Sequence, residues 1–184
     1  MTAENKYVTI IAGESRHPRR YPILSIIIDG YNAIGIHHGD LRREREMLIA
    51  SLIEYRRRKG HEITVVFDGW KTGEGQESQS VIGGIRVIFS RIGEKADAVI
   101  KRIVSSDKRQ WLVVSSDRDI VNHAWSSGSV PAPAEVFLRA VARREESFRI
   151  SDEDSEEDVP SHRKGNPRQR SKREKALLRV MRKL

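Results

Sequence analysis

The sequence has 184 residues, of which 38% are hydrophobic and 33% charged, and its formal net charge is +8. This length predicts one domain of about 100–150 residues with polar ends. The chain has no cysteine, which excludes disulfides, thiolate metal sites, iron–sulfur clusters and a thiol nucleophile. The basic charge favours a polyanionic partner.

The sequence predicts a cytoplasmic protein. No apolar run approaches the roughly 20 residues that span a bilayer. The first residues also lack the charged start, apolar middle and small-residue cleavage site of a signal peptide.

Apolar runs that alternate with amphipathic segments predict the fold. Strands are expected at 23–28, 62–67, 85–89 and 110–114, and helices at 41–59, 96–104, 119–125 and 133–146. The run I-L-S-I-I-I at 23–28 is typical of a strand buried on both faces of a parallel sheet. Gly60 would cap the first long helix, residues 68–80 read as a loop, and residues 7–12 could add an edge strand. This alternation predicts an α/β fold, an open and mainly parallel sheet flanked by helices.

Charge divides the chain into three parts. We expect an N-terminal extension at 1–22, a globular domain at 23–146, and a charged tail at 147–184. Residues 145–158 carry eight acidic residues and one basic residue, whereas residues 163–184 carry ten basic residues and one acidic residue. Such a tail is expected to be disordered or partly helical, since apolar residues recur at helical spacing only in 171–184. It could fold on a partner or on RNA, or its two halves could simply attract each other.

Acidic residues stand where the predicted strands end. Asp29 follows one strand, Asp68 follows the next, and Asp117 comes three residues after Val114. Because the carboxyl ends of parallel strands lie along one edge of a sheet, we expect these side chains to meet there. Two further side chains can reach the same space. They are Asp97, in the first turn of a helix that must begin at this edge, and Asn32, three residues after Asp29.

Carboxylates gathered in this way predict a divalent cation. Two of them 4 Å apart repel by about 4 kcal/mol near a protein surface. Oxygen ligands without His or Cys suit Mg²⁺ or Mn²⁺ rather than zinc. A metal in an acidic pocket with a basic rim is the arrangement needed for metal-assisted phosphodiester hydrolysis.

Each acidic residue also has a simpler explanation. Asp29 and Asp68 each precede a glycine, and Asp117 precedes a predicted helix, so all three fit turns or helix caps. Asp97 could pair with Lys101 one turn later on a solvated face. The joint occurrence of all four at one sheet edge favours a site.

Basic residues are concentrated on the predicted helix at 41–59. Candidate contacts to an RNA backbone are Arg42, Arg43, Arg45, Arg56, Arg57, Arg58 and Lys59. Charges on a helix surface usually only keep that surface solvated, so this alternative stays open.

Four motifs together resemble the YacP-like branch of the NYN domain family. They are I-I-I-D-G-Y-N at 26–32, V-V-F-D-G at 65–69, E-K-A-D at 94–97 and V-S-S-D at 114–117, and the resemblance covers about residues 23–144. NYN domains are similar in fold to PIN and FLAP nucleases. The resemblance therefore implies an acidic metal site and a metal-dependent endoribonuclease, which in this branch is associated with ribosomes and mRNA turnover.

The resemblance also implies roles for individual residues. Asp29, Asn32 and Asp97 match the positions most tied to cleavage. The implied ligands of Mg²⁺ or Mn²⁺ are Asp29, Asp68, Asp97, Asp117 and Asp119, and the implied partners are mRNA and the ribosome. Asp119 matches the second aspartate of the S-x-D-x-D form of many NYN domains, which this branch does not always keep, and a role as a helix cap is an alternative.

Two other functions remain open at this point. The first is a non-catalytic RNA- or ribosome-binding adaptor, although the chain keeps every acidic motif. The second is a structure-specific DNA nuclease of the FLAP type, for which the loop at 68–80 is short.

Overall fold

The computed structural model describes residues 23–35, 40–69, 76–107, 109–143 and 171–184. The strands are β1 (Ser25–Asp29), β2 (Glu62–Phe67), β3 (Ser78–Ile82), β4 (Ile85–Phe89), β5 (Trp111–Val114) and β6 (Val130–Ala132). The helices are α1 (Gly30–Ile34), α2 (Leu41–Lys59), α3 (Ala96–Ser106), α4 (Arg118–Ser126), α5 (Ala134–Ala142) and α6 (Lys172–Met181). The edge strand predicted at 7–12 lies outside the described residues.

The strands form one sheet in the order β3-β4-β2-β1-β5-β6. Every neighbouring pair is parallel except β3 and β4, which are antiparallel. From β1 the chain first builds the β2 side of the sheet and then crosses to β5. The boundary between β1 and β5 is therefore the switch point at which open α/β sheets bind ligands. The predicted α/β architecture is confirmed.

Helices cover both faces of the sheet. Ile26 and Ile28 of β1 belong to the apolar cluster that α2, α5 and α6 share, and Ile27 belongs to the cluster with α3 and α4. All three side chains have no exposed surface. Burial on both faces is the reason that β1 has an uninterrupted apolar run instead of an alternating one.

Helix α2 has the bounds that its sequence predicts. Asp40 caps its first turn by accepting the backbone N–H groups of Arg42 and Arg43, and Gly60 ends it with a left-handed φ of 72°. Since α2 connects the end of β1 to the start of β2, it runs from the carboxyl edge of the sheet to the opposite edge. Its 19 residues span about 28 Å at 1.5 Å per residue.

Three short elements do not match the sequence prediction. β3 begins inside the predicted loop at 68–80 and forms a hairpin with β4 through Gly83 and Gly84, both with positive φ. That conformation is the one that tight hairpin turns require. β6 and α1 were not predicted because three and five residues show too little periodicity. α5 ends at Ala142, four residues before the predicted helix end.

The end of the chain is part of the folded domain. α6 begins with a capping box between Ser171 and Glu174, and Val180 is buried in the cluster beneath α2 and α5. The carbonyl of Leu184 accepts the hydroxyl of Tyr55 at 3.4 Å. The tail was expected to be disordered or partly helical, and residues 171–184 contain a helix. This helix packs on the domain because its apolar side chains cover the sheet. The acidic spacer lies outside the described residues.

No helix in the ranges that the structure describes combines the length and the apolar character needed to cross a membrane.

Candidate functional site

The D-G-Y-N turn holds Asp29 at the end of β1. The Oδ1 atom of Asp29 accepts the backbone N–H of Asn32 at 3.2 Å and so caps α1. Gly30 is required because a Cβ there would lie 2.2 Å from the ring of Phe67. Tyr31 packs edge-on against the same ring, with the centroids 5.2 Å apart. The motif therefore fixes one carboxylate rigidly at the carboxyl edge of the sheet.

Two hydrogen bonds join this turn to the loop that follows β5. The Oδ1 atom of Asn32 accepts the backbone N–H of Ser116 at 2.8 Å. The hydroxyl of Ser115 donates to Oδ2 of Asp29 at 3.3 Å and accepts the N–H of Asp117 at 3.1 Å. Ser115 is buried and was not predicted as a site residue. The signal that could have identified it is a serine between a buried strand and a capping aspartate.

Asp68 connects β2 to the start of α3. Its Oδ1 atom accepts the backbone N–H of Ala96 at 2.6 Å, and Lys95, at the N-cap position, makes no side-chain cap of its own. A Cβ on Gly69 would lie 1.6 Å from the carbonyl oxygen of Ser90, so only glycine allows this approach. These contacts place the first turn of α3, and with it Asp97, at the same edge.

Asp29 is the carboxylate most affected by its surroundings. Its pKa is raised from 3.8 to about 6, mainly by burial and to a smaller extent by the negative charges of Asp97 and Asp68. The backbone N–H of Asn32 and the hydroxyl of Ser115 oppose this rise by donating to the ionised form.

The pKa of Asp97 is also affected by neighbouring acidic residues. Burial, the charge of Asp117 and then the charge of Asp68 raise its pKa, whereas Lys101 lowers it. Asp97 is therefore within electrostatic reach of Asp29, Asp68 and Asp117, and Asp29 is also within reach of Asp68. The simpler explanations also hold for three of them, since Asp29, Asp68 and Asp117 each cap a helix.

Asp119 does not join this group. Its exposed carboxylate pairs with Lys101 of α3, which lowers its pKa. The assignment of Asp119 as a metal ligand stays a prediction. It is the second residue of α4, and its carboxylate contacts Lys101 of α3.

The acidic group has the donor chemistry of a hard cation. Among the described residues, no three acidic or histidine side chains converge closely enough to enclose a metal ion. Mg²⁺ usually keeps several waters and binds through one or two carboxylates instead of a complete protein cage. An all-oxygen donor set is also the wrong one for zinc. The residues that could hold such an ion are Asp29, Asp68, Asp97 and Asp117.

The basic residues at the start of α2 lie on the same edge of the sheet as the acidic group. Arg45 donates to the hydroxyl of Tyr31 at 2.8 Å, and its guanidinium lies 5.7 Å from the ring centre of Phe89. Arg42 forms an exposed ion pair with Glu46. Arg43 is exposed.

The basic run at the end of α2 lies at the opposite edge of the sheet. Arg58 donates to the carbonyls of Val141 and Arg143 at the end of α5. Arg56 packs its guanidinium against Gly84. The RNA-contact prediction for residues 56–59 therefore stays a prediction, and these residues lie about 22–27 Å along the helix from its first residue, Leu41, at the acidic edge.

Comparisons with known proteins identify the family of this chain. A model of the YacP-like NYN domain matches residues 26–183, a range that includes α6. A Bacillus subtilis protein described as uncharacterized protein YacP is 27% identical over 126 residues, covering 63% of this chain and 74% of that protein.

Two crystal structures of Rae1 (YacP) from Bacillus subtilis share the fold. A single-residue variant has a TM-score of 0.54 at 25% identity, covering 65% of this chain and 75% of that one. The other has a TM-score of 0.50 at 26% identity, covering 64% and 72%. The family model matches most of the chain, and the chain belongs to the YacP-like NYN domain family.

Proposed function

We propose that this protein is a Mg²⁺- or Mn²⁺-dependent endoribonuclease that hydrolyses RNA phosphodiester bonds, with mRNA on ribosomes as its substrate. One observation carries the proposal: at the switch point of a nuclease-type NYN fold, Asp97 lies within electrostatic reach of Asp29, Asp68 and Asp117, which come from three other segments of the chain. The choice of RNA, mRNA and ribosomes follows from the resemblance of the four motifs to this branch of the family.

The charge balance of the site supports a bound divalent cation. In the described part of the chain, no basic side chain forms an ion pair with Asp29, Asp68 or Asp117. Uncompensated negative charge at a partly buried edge is costly. A bound Mg²⁺ or Mn²⁺ offsets that cost, and it would stabilise charge on phosphoryl oxygens and lower the pKa of an attached water.

The residues of the chain itself have distinct tasks in this proposal. Asp29 supplies a carboxylate that Ser115 and the start of α1 hold in place. Asn32 accepts the N–H of Ser116 through its Oδ1 atom, so its amide NH₂ group remains as a donor to a water or a phosphate oxygen. Arg45 lies near the same edge and can contact the RNA backbone on one side.

A cleavage assay with matched variants tests the proposal. Purified protein is incubated with RNA in the presence of Mn²⁺, with EDTA, and with DNA of the same sequence. Asp29→Asn keeps the size of the side chain and removes its charge. Asp107→Asn is the matched control, because Asp107 pairs with Arg109 at the opposite edge of the sheet. We expect Asp29→Asn to lose about a hundredfold or more of the activity, since metal assistance contributes several kcal/mol, and Asp107→Asn to keep it.

The alternative outcomes separate the rival functions. Equal cleavage by the wild type and Asp29→Asn indicates a contaminating nuclease and contradicts the proposal. Absence of cleavage on both free RNA and translating ribosomes, with RNA binding retained, favours the adaptor. Cleavage of DNA in preference to RNA favours the FLAP-type function.

A further inference from the structure

We propose that a cavity beside the acidic group binds one base of the substrate RNA, next to the phosphate that is cleaved. The cavity has a volume of about 440 Å³ and lies between α4, the residues around β6, and α6. That volume is within the range of about 300–1,000 Å³ typical of small-molecule sites. This inference rests on the proposed function, because it names the part of the substrate that this region of the site would recognise.

The cavity shares residues with the acidic site. Ser115 and Ser116 line it. Ser115 donates to Asp29, and the backbone N–H of Ser116 donates to Asn32. A nucleotide with its phosphate at the carboxylates would therefore have its base beside these two serines, which line the cavity.

The walls of the cavity offer apolar surface for the face of a base and a polar group for its edge. Trp125, Pro131, Pro133 and Leu177 supply apolar surface, and stacking of bases on aromatic side chains is the common means of holding single-stranded RNA. Asn122 adds an amide that can both donate and accept at the polar edge of a base.

The charge around the cavity matches a polyanion. Arg118 lines the cavity, and the guanidinium of Arg173 lies 5.3 Å from the ring centre of Trp125. Residues 171–184, which contribute Leu177 to the wall, carry six basic residues and one acidic residue. A largely apolar cavity with an aromatic wall and neighbouring cations favours a nucleotide over an apolar peptide or an acyl chain, because only the nucleotide combines an aromatic face with a phosphate.

A pair of adjacent residues on α6 provides the matched test. Leu177 lines the cavity, whereas Leu178 is 40% exposed and does not line it. Leu177→Glu places a carboxylate in the cavity. Leu178→Glu adds the same charge one position away, on the solvent side. Asn122→Asp gives a second test with little risk to folding, because Asn122 is exposed on α4.

Binding is measured first on mononucleotides in the presence of Mg²⁺, and because a mononucleotide has no phosphodiester bond, no cleavage is required. Each of the four ribonucleoside 5′-monophosphates is titrated into the full chain while tryptophan fluorescence is recorded. Trp125→Phe shows how much of the signal comes from Trp125. We expect saturable quenching for the wild type and for Leu178→Glu. For Leu177→Glu and Asn122→Asp we expect an affinity lowered about tenfold.

Kinetics on a short RNA then tests the same site during cleavage. We expect Leu177→Glu and Asn122→Asp to raise KM about tenfold with kcat little changed, and Leu178→Glu to resemble the wild type. A merely structural defect would lower kcat and the melting temperature together. Thermal unfolding of each variant identifies such a defect. If Leu177→Glu is destabilised, the KM of the exposed Asn122→Asp variant decides the result.

The outcomes distinguish this inference from the proposed function. Unchanged nucleotide affinity and KM in both Leu177→Glu and Asn122→Asp overturn the base site, while Asp29-dependent cleavage would leave the nuclease standing. Saturable nucleotide binding that is sensitive to Leu177→Glu, in a protein that cuts no RNA, supports the base site and overturns the nuclease proposal.

Discussion

The substitution Asp29→Asn should make the metal-free protein more stable. Burial and the neighbouring carboxylates raise the pKa of Asp29 from 3.8 to about 6, so its ionised form costs about 3 kcal/mol of folding free energy at neutral pH. Asparagine removes the charge and keeps the contacts. Its Oδ1 atom can accept the N–H of Asn32, and its amide can donate to the oxygen of Ser115, whose hydroxyl rotates.

The pH dependence of this stabilisation has a defined sign. Above about pH 6 Asp29 is ionised in both the folded and the unfolded chain, so the full cost is present. As the pH falls from about 6 to 4, the folded protein binds a proton that the unfolded chain does not yet bind, and the cost disappears. Asp29→Asn should therefore be more stable than the wild type by about 3 kcal/mol at pH 7 and nearly equal to it below about pH 4.

Thermal and urea unfolding in EDTA measure this difference. In a chain of this size each kcal/mol shifts the melting temperature by about 2–4 °C, so we expect a rise of about 6 °C or more at pH 7. Asp107→Asn is the control. It removes an ion pair at the solvent-accessible edge, so it should lower stability by at most about 1 kcal/mol.

Added Mn²⁺ should reduce or reverse the order of the two proteins. Metal that binds only the folded wild type stabilises it by about 2.7 kcal/mol at a hundred times its dissociation constant. Asp29→Asn should gain much less. A variant that is less stable than the wild type in EDTA at pH 7, or a difference that does not change with pH, would refute the reasoning about Asp29.

Three further predictions concern stability. Burial lowers the pKa of His61, so the wild type should lose stability as the pH falls below about 6.5, by up to about 1.4 kcal/mol per pH unit. In urea titrations at different pH, His61→Gln should remove the part of the pH dependence of the unfolding free energy that comes from His61. Arg58→Ala should cost about 1.5–3 kcal/mol in urea unfolding, because two carbonyls at the end of α5 lose their donor; the exposed Arg57→Ala should stay within about 0.5 kcal/mol. Val180→Ala should cost about 1.5 kcal/mol and Leu178→Ala less, and equal melting temperatures would contradict the packing of α6.

The local part of the fold could be predicted because it depends on short-range periodicity. The run at 23–28 indicates a doubly buried strand, and the pattern from 41 to 59 ends at the glycine that caps α2. The aspartates could be placed at one edge of the sheet without coordinates, because parallel strands all end on the same side. α1 and β6 were missed because five and three residues are too short to show a period.

The remaining features depend on how separate elements are oriented in space. Asp119 pairs with Lys101, 18 positions away in the sequence, because α3 and α4 pack side by side on one face. The hydroxyl of Ser115 reaches Asp29 only because β5 pairs with β1.

The sequence by itself determined the longer strands and helices and which acidic groups reach the carboxyl edge, because both depend on periodicity and on strand direction. Only the tertiary structure decided which carboxylates face one another, where the basic residues of α2 lie, and that α6 packs against the sheet. Each of these results depends on the rotation of a helix or on a contact between residues distant in sequence, and neither is encoded in local spacing.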